Sequence, residues 1–394
     1  MTFDIKQSFA NIPERSLKTD ALKGIAPEDI KDFISMGVAD MSFKPPQEVL
    51  GALSGEIQRG FLGYYGGISH YKDALRRWMK RMHSWEPKSE WIYTAHGLVA
   101  ALGTVMRAYT NVGDGIIVFS PVYHSFKKII GANERKLIQS PMVLKAGKYF
   151  LDLNQLEIMM TGNERMIIFC SPHNPGGRVW SLEEQKELAY FCRRHNLLLV
   201  VDEIHNDLVY SCNKHVTFPL AADGILEEFI LMTSTTKTFN IAGGLMGNVI
   251  IPNSDLRKKF SKANIATGET PNRFGMIMGE RAMEAGDFWL KEVIEYIDNN
   301  RNIFDAGINS IPLVKSMRLD ATYLAWVDFT KLEIDENAIM GKLILDAKII
   351  ANPGSSFGEG GKKFIRFNLA TSRDLIVEAT NRIKSVLGPQ VNAV

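Results

Sequence analysis

Four short apolar runs punctuate the middle of the chain: GIIVF (115–119), MIIFC (166–170), LLLVV (197–201) and FILMT (229–233). None alternates polar with apolar residues, so each reads as a strand buried on both faces, the signature of a parallel sheet. Parallel strands cannot be joined by tight turns and need crossover connections, usually helical. The intervening sequence supplies them. Between the second and third runs, SLEEQKELAYFCRRHN offers Ser181 as an N-cap and Glu184 as the acid of a capping box, with Leu188, Phe191 and Cys192 on one face. HYKDALRRWMKRMHSW (70–85) is a second amphipathic helix, striped by Tyr71, Leu75, Trp78, Met79 and Met82. After about residue 286 the pattern changes to a long helix (288–310), a strand-like TYLAWVDF and a final helix (373–387). The expected fold class is therefore α/β: a mostly parallel central sheet flanked by helices, with a smaller α+β domain. The large domain is placed at 50–285, and the small domain at 1–49 together with 286–394.

With 394 residues the chain exceeds the size at which one core usually stops growing, which also favours two domains. The net charge of +2 comes from scattered basic residues, unlike the basic stripe of a nucleic-acid binder. MTFDIKQSFANIPERS lacks the apolar core of a signal peptide, and no apolar run approaches transmembrane length. Cys170, Cys192 and Cys212 are too few and too scattered for a disulfide framework or a zinc site. These features predict a reduced, soluble, cytoplasmic protein that acts on a small molecule, with no nucleic-acid or membrane partner.

In open α/β sheets ligands bind beyond the carboxyl ends of the strands. MIIFC is followed by SPHNPGGRVW, LLLVV by DEIHNDLVY, and FILMT by STTKTF, so Asn174, Asp202, His205 and Lys237 gather at one sheet edge. Taken singly, Asn174 reads as a turn former, Asp202 as a helix cap and Lys237 as a solvated loop residue. Together they match one chemistry. Pyridoxal phosphate needs a lysine for its imine, a carboxylate to keep the ring nitrogen protonated, a donor near the ring hydroxyl, and an anion site. A helix N-terminus at Gly97-Leu98-Val99 suits the phosphate, and Ser234 can add a hydroxyl. Tyr123, after GIIVF, offers a flat surface for the ring.

These motifs carry a resemblance that covers almost the whole chain. VADMSF (38–43), GYYGG (63–67), SPVYHSF, SPHNPGGRVW, DEIHNDLV, TKTFNIAGG and FGEGGKKFIRFNLA (357–370) occur in the order seen in fold-type I pyridoxal-phosphate enzymes of aminotransferase class I/II. The likeness is to the cystathionine β-lyase and cystalysin-like C–S lyase branch (MalY/PatB type). The resemblance implies that Lys237 forms the imine, Asp202 partners the pyridine nitrogen, Asn174 donates to the ring hydroxyl and Tyr123 stacks on the ring. It sets His205 where aspartate aminotransferases have a tyrosine, and makes Arg366 the ligand of the substrate carboxylate. It also implies that Tyr64 reaches the phosphate of a neighbouring subunit, hence a homodimer. The chain departs from its relatives at Ser42, at His124-Ser125, and at Leu245, where aspartate aminotransferases carry a phosphate-binding arginine.

GEGGKKF (358–364) lacks the spacing and setting of a phosphate loop and is read as a tight turn. DEIHND has no second histidine at ligand spacing, so no metal is expected. The expected activity is β-elimination from L-cystathionine or related cysteine S-conjugates. The rivals are transamination on the same residues and a regulator-binding protein whose cofactor is structural.

Overall fold

A computed structural model of the chain describes residues 16–23 and 30–388. Residues 1–15, on which the signal-peptide argument rests, lie outside the described residues, as does part of the 1–49 segment. Seven strands form the main sheet: β1 (Ile92–Ala95), β2 (Gly115–Ser120), β3 (Lys136–Pro141), β4 (Glu164–Cys170), β5 (Leu198–Asp202), β6 (Phe229–Thr233) and β7 (Gly247–Ile250). Their order is β1-β7-β6-β5-β4-β2-β3. β7 runs antiparallel to both of its neighbours, and every other pairing is parallel. All four apolar runs are strands of this sheet. They do not alternate because successive residues feed two separate cores: Leu199 and Val201 of β5 enter one, Leu198 and Val200 the other.

The helices that bear on the site are α1 (Ile68–His83), α2 (Leu98–Tyr109), α3 (His124–Ala132), α4 (Leu182–His195), α5 (Asp287–Asn309) and α6 (Arg373–Leu387). In α1, Tyr71, Leu75, Trp78 and Met79 are buried as the stripe predicts, but Met82 stays exposed. The last turn presents His83 inward instead, because that ring hydrogen-bonds the buried Asp207 at 2.8 Å. α4 starts with the expected capping box: Ser181 Oγ accepts from the Glu184 N–H, and the Glu184 carboxylate accepts from the Ser181 N–H.

A second sheet of four antiparallel strands follows: β8 (Lys315–Ser316), β9 (Leu324–Asp328), β10 (Asn352–Pro353) and β11 (Phe364–Asn368), in the order β8-β9-β11-β10. α5 and α6 contribute Phe304, Ile308, Ile376 and Ile383 to the core that also holds β9 and β11. Ile34–Ser35 pairs in parallel with Ile349–Ile350, which ties the early segment to this C-terminal part. Residues 358–363 form two successive tight turns leading into β11, with Gly358 and Gly360 at φ of 99° and 78°.

The chain passes from β2 to β3 on one side and then returns to lay β4 on the other. The crevice between β2 and β4 is thus the switch point where such sheets bind ligands. Ser181→Ala should cost about 1 kcal/mol of stability, since it removes one cap acceptor from α4. The midpoint of urea unfolding measures this, and Ser181→Asp should recover most of it. An unshifted midpoint for Ser181→Ala would show that the capping box contributes nothing.

Candidate active site

A cavity of about 220 Å³ opens at the carboxyl ends of the parallel strands. Its lining includes Gly97, Leu98 and Val99 after β1, Tyr123 after β2, Asn174 after β4, Asp202 and His205 at the end of β5, and Lys237 after β6. Eight of the sequence-predicted residues therefore converge on one space.

Lys237 sits in an irregular turn with its Nζ donating to the Ala39 carbonyl at 2.6 Å. Burial lowers its pKa to about 8, opposed by Asp40 and Asp202 and assisted by Arg366. Asp202 is buried, and its Oδ1 accepts from the Ile204 N–H at 3.0 Å. Burial raises its pKa to about 6; the Ile204 N–H and Lys237 oppose this, and Glu203 adds to it. Among the described residues no cation lies within salt-bridge distance of this carboxylate.

Arg366, on β11, shows the opposite sign of the same problem. Its guanidinium is buried and donates to Asn174 Oδ1 at 3.1 Å, to the Gly37 carbonyl at 2.9 Å and to Asn352 Oδ1 at 2.9 Å. The ring of Phe357 lies 4.9 Å beneath it. Burial lowers its pKa to about 10, with Tyr123 and Tyr323 opposing. Its Nε is buried without a partner, and among the described residues no carboxylate pairs with the fork. Arg366 reaches the cavity through Asn174, whose amide nitrogen has no acceptor among the described residues.

His205 is buried with Nδ1 unpartnered. Burial, with Lys237 and Arg366 beside it, pushes its pKa down to about 3, so the ring is neutral. α2 begins at Leu98 with no side-chain cap; Gly97 precedes it at φ 87° and ψ 159°. No Cβ would clash there, so glycine is required by its backbone conformation and not by space. The bare Leu98 and Val99 N–H groups suit an anion.

Three predicted residues are off the lining itself: Ser234, Tyr64, and Arg366, which stands behind Asn174. Ser234 is off the lining: its hydroxyl donates to the Met246 carbonyl at 2.6 Å and lies 2.8 Å from Thr236 Oγ1. Thr236 is the hydroxyl on the lining. Tyr64 is 90% exposed and also off the lining. Leu245 does line the cavity, so no arginine assists the anion site from that position. Sequence reasoning missed Thr236, Cys170, Met246 and the Ala39 carbonyl. VADMSF pointed to the last of these only as a motif without a role. The buried unpaired carboxylate, the neutral imidazole, the bare helix end and the lysine fit the ring nitrogen, ring substituents, phosphate and aldehyde of pyridoxal phosphate.

The family model "Aminotransferase class I and II" matches residues 31–383. The chain belongs to this family. It is 34% identical to cystathionine beta-lyase PatB of Bacillus subtilis over 94% of this chain and 95% of PatB. It is 28% identical to protein MalY of Escherichia coli, over 87% of this chain and 88% of MalY. The crystal structure of cystalysin from Treponema denticola, which contains a pyridoxal 5'-phosphate cofactor, superposes with a TM-score of 0.94 at 35% identity, covering 98% and 99% of the two chains. The expected α/β class thus resolves into the fold of pyridoxal-phosphate-dependent transferases of fold type I. Among the described residues, no helix is long and apolar enough to cross a membrane.

The raised pKa of Asp202 makes a stability prediction. Its folded pKa lies above the unfolded value, so its ionisation destabilises the apoprotein; the cost is absent below about pH 4 and complete above about pH 6. Asp202→Asn should therefore make the apoprotein more stable at pH 8 by roughly 1–3 kcal/mol, with the gain vanishing near pH 4. Thermal unfolding at the two pH values measures it. A pH-independent difference would mean that the carboxylate is not strained by burial.

Proposed function

We propose that this protein is a pyridoxal-phosphate-dependent C–S β-lyase that splits L-cystathionine or related cysteine S-conjugates into a thiol, pyruvate and ammonia. The carrying observation is one cavity flanked by a buried carboxylate without a cation and a buried guanidinium without an anion, with a half-buried lysine between them. The family and the names of the relatives support the lyase reading.

Lys237 would hold the cofactor covalently, Asp202 would accept a hydrogen bond from its ring nitrogen, and Asn174 would donate to its ring hydroxyl. Tyr123 would flank the ring, with His205 near its substituents. The Leu98 and Val99 N–H groups, approached closely because of Gly97, would receive the phosphate with Thr236. Ser234 would hold the turn in place behind them. Bound there, pyridoxal phosphate supplies the electron sink that lets an amino acid lose its α-proton and then its β-substituent. Arg366 would pair with the substrate carboxylate by giving up one of its present Nη2 bonds, and so hold the amino acid with its Cα–H bond toward Lys237. Once freed by the substrate amine, Lys237 Nζ, whose pKa burial lowers, would take that proton. The small residues around it leave room for the leaving sulfur. The three cysteines are free, which suits a cytoplasmic enzyme. Tyr64 would complete the phosphate site of a second copy in a homodimer.

Given L-cystathionine and no 2-oxo acid, the enzyme should release pyruvate and ammonia over many turnovers. Stopping after one equivalent, with revival by a 2-oxo acid, would instead identify an aminotransferase.

Arg366→Lys should weaken amino-acid substrates by one to two orders of magnitude in kcat/KM, since a charge-assisted pair of hydrogen bonds is worth about 1.5–3 kcal/mol. Affinity for pyridoxal phosphate should hardly change. Equal losses of both would remove Arg366 from the substrate pocket. Mixing inactive Lys237→Ala and Tyr64→Ala proteins should restore part of the activity, because one hybrid site regains both residues. No recovery under conditions of subunit exchange would mean a site built within one chain.

A further inference from the structure

The loop that starts at Asp202 has two sides. Asp202 and His205 face the cavity, while Glu203 and Asp207 are off its lining, buried in polar contacts of their own. Both rear carboxylates are almost wholly buried, and neither meets a lysine or arginine among the described residues. Asp207 Oδ1 accepts from Trp78 Nε1 at 3.1 Å and contacts His83 Nε2 at 2.8 Å, both on α1. Its Oδ2 accepts from Thr238 Oγ1 at 2.7 Å. Glu203 accepts from the Phe218 N–H at 2.7 Å and from Thr217 Oγ1 at 2.8 Å. His215 Nε2 lies 3.1 Å from the same carboxylate without the alignment of a hydrogen bond.

Thr238 is the residue after Lys237. The lysine's turn has no sheet ladder and no regular helix to hold it; its internal backbone bonds are Phe239 N–H to Thr235 and Ile241 N–H to Thr236. Its remaining anchors are side chains. Ser234 holds the start, Asn240 holds the end through the Met41 and Phe43 carbonyls, and Thr238 holds the middle. The middle anchor is the one adjacent to the lysine. It is also the one that ends on the loop carrying Asp202.

We infer that Asp207 is a positioning residue: braced by His83 and Trp78, it ties the Asp202 loop to the Lys237 turn and fixes Lys237 relative to Asp202. The charge on its partner His83 supports the tie. Burial alone would lower the pKa of His83, but the Asp207 and Glu203 carboxylates outweigh this and hold it above the ordinary value. His83 also lies in the last turn of α1, where a helix favours a cation. The carboxylate is therefore held in place by two side chains of α1 and one hydroxyl, without any lysine or arginine among the described residues. Such a partner would bring a long flexible side chain behind the site.

The inference rests on the proposed role of Lys237, and Thr238→Val tests it by removing the donor while keeping the shape. Two quantities are read: kcat and KM on L-cystathionine, and the rate at which the apoprotein turns yellow after addition of pyridoxal phosphate. A small misplacement of a reacting group costs up to about 100-fold. Thr238→Val should accordingly lower kcat and the colouring rate by ~10- to 100-fold, with KM changed less than about threefold. Thr238→Ser should restore both, and Asp207→Asn should reproduce the loss. If Thr238→Val does not fold, Thr238→Ala takes its place. A folded Thr238 variant that only melts lower, with wild-type kcat and colouring rate, overturns the inference. The colouring rate needs no substrate, so wild-type protein that colours but does not cleave L-cystathionine would count against the proposed function and leave this test intact.

Discussion

Asp202 and Arg366 are buried charges of opposite sign that do not neutralise each other. Burying an ion without a partner costs several kcal/mol even after relaxation, and the two side chains show that cost differently. Asp202 keeps one backbone N–H and shifts its pKa upward. Arg366 spends its Nη1 and Nη2 donors on carbonyl and amide oxygens and keeps its fork free of carboxylates. The remaining surroundings make these two unpaired charges tolerable until ligands of complementary sign arrive. Lys237 between them responds to both: the carboxylate raises its pKa and the guanidinium lowers it.

The architecture keeps the charges apart. Asp202 ends β5 in the middle of the main sheet, where a parallel strand has neighbours on both sides and cannot shift. Arg366 lies on β11 of the second sheet, opposite Trp326 on β9 and Asn352 on β10. The site is thus assembled between two sheets, with irregular backbone at the lysine turn, in the loops after β4 and β5, and in segment 37–43. Segment 37–43 completes it: the Gly37 carbonyl takes Arg366, the Ala39 carbonyl takes Lys237, and Met41 and Phe43 take Asn240. Irregular backbone of this kind holds its shape only through side-chain hydrogen bonds, and the polar residues around Lys237 are spent largely on that.

The sheet was legible because burial on both faces leaves an unmistakable pattern. LLLVV and FILMT could scarcely be anything but central strands, and the residues after them had to lie at one edge. The capping box at Ser181 was equally local, since it involves only four consecutive residues. Met82 and Ser234 were not legible. Each satisfies its local pattern, and each is redirected by a contact far away in sequence: α1's last turn by Asp207, and Ser234 by the Met246 carbonyl.

The sequence by itself determined the strands, their carboxyl-end residues and hence the chemistry of the site, because strand period, crossover handedness and strand-end placement are local or topological rules. Residue types and strand-end placement alone leave Asp202, Glu203, His205 and Asp207 equally plausible ligands, and only the family resemblance picks Asp202 and His205 among them. The tertiary structure supplies what separates them, turning Glu203 to Thr217 and Phe218 and Asp207 to α1 and Thr238. The reason is physical: every buried carboxylate must find donors, and where those donors stand is known only once distant segments have packed together.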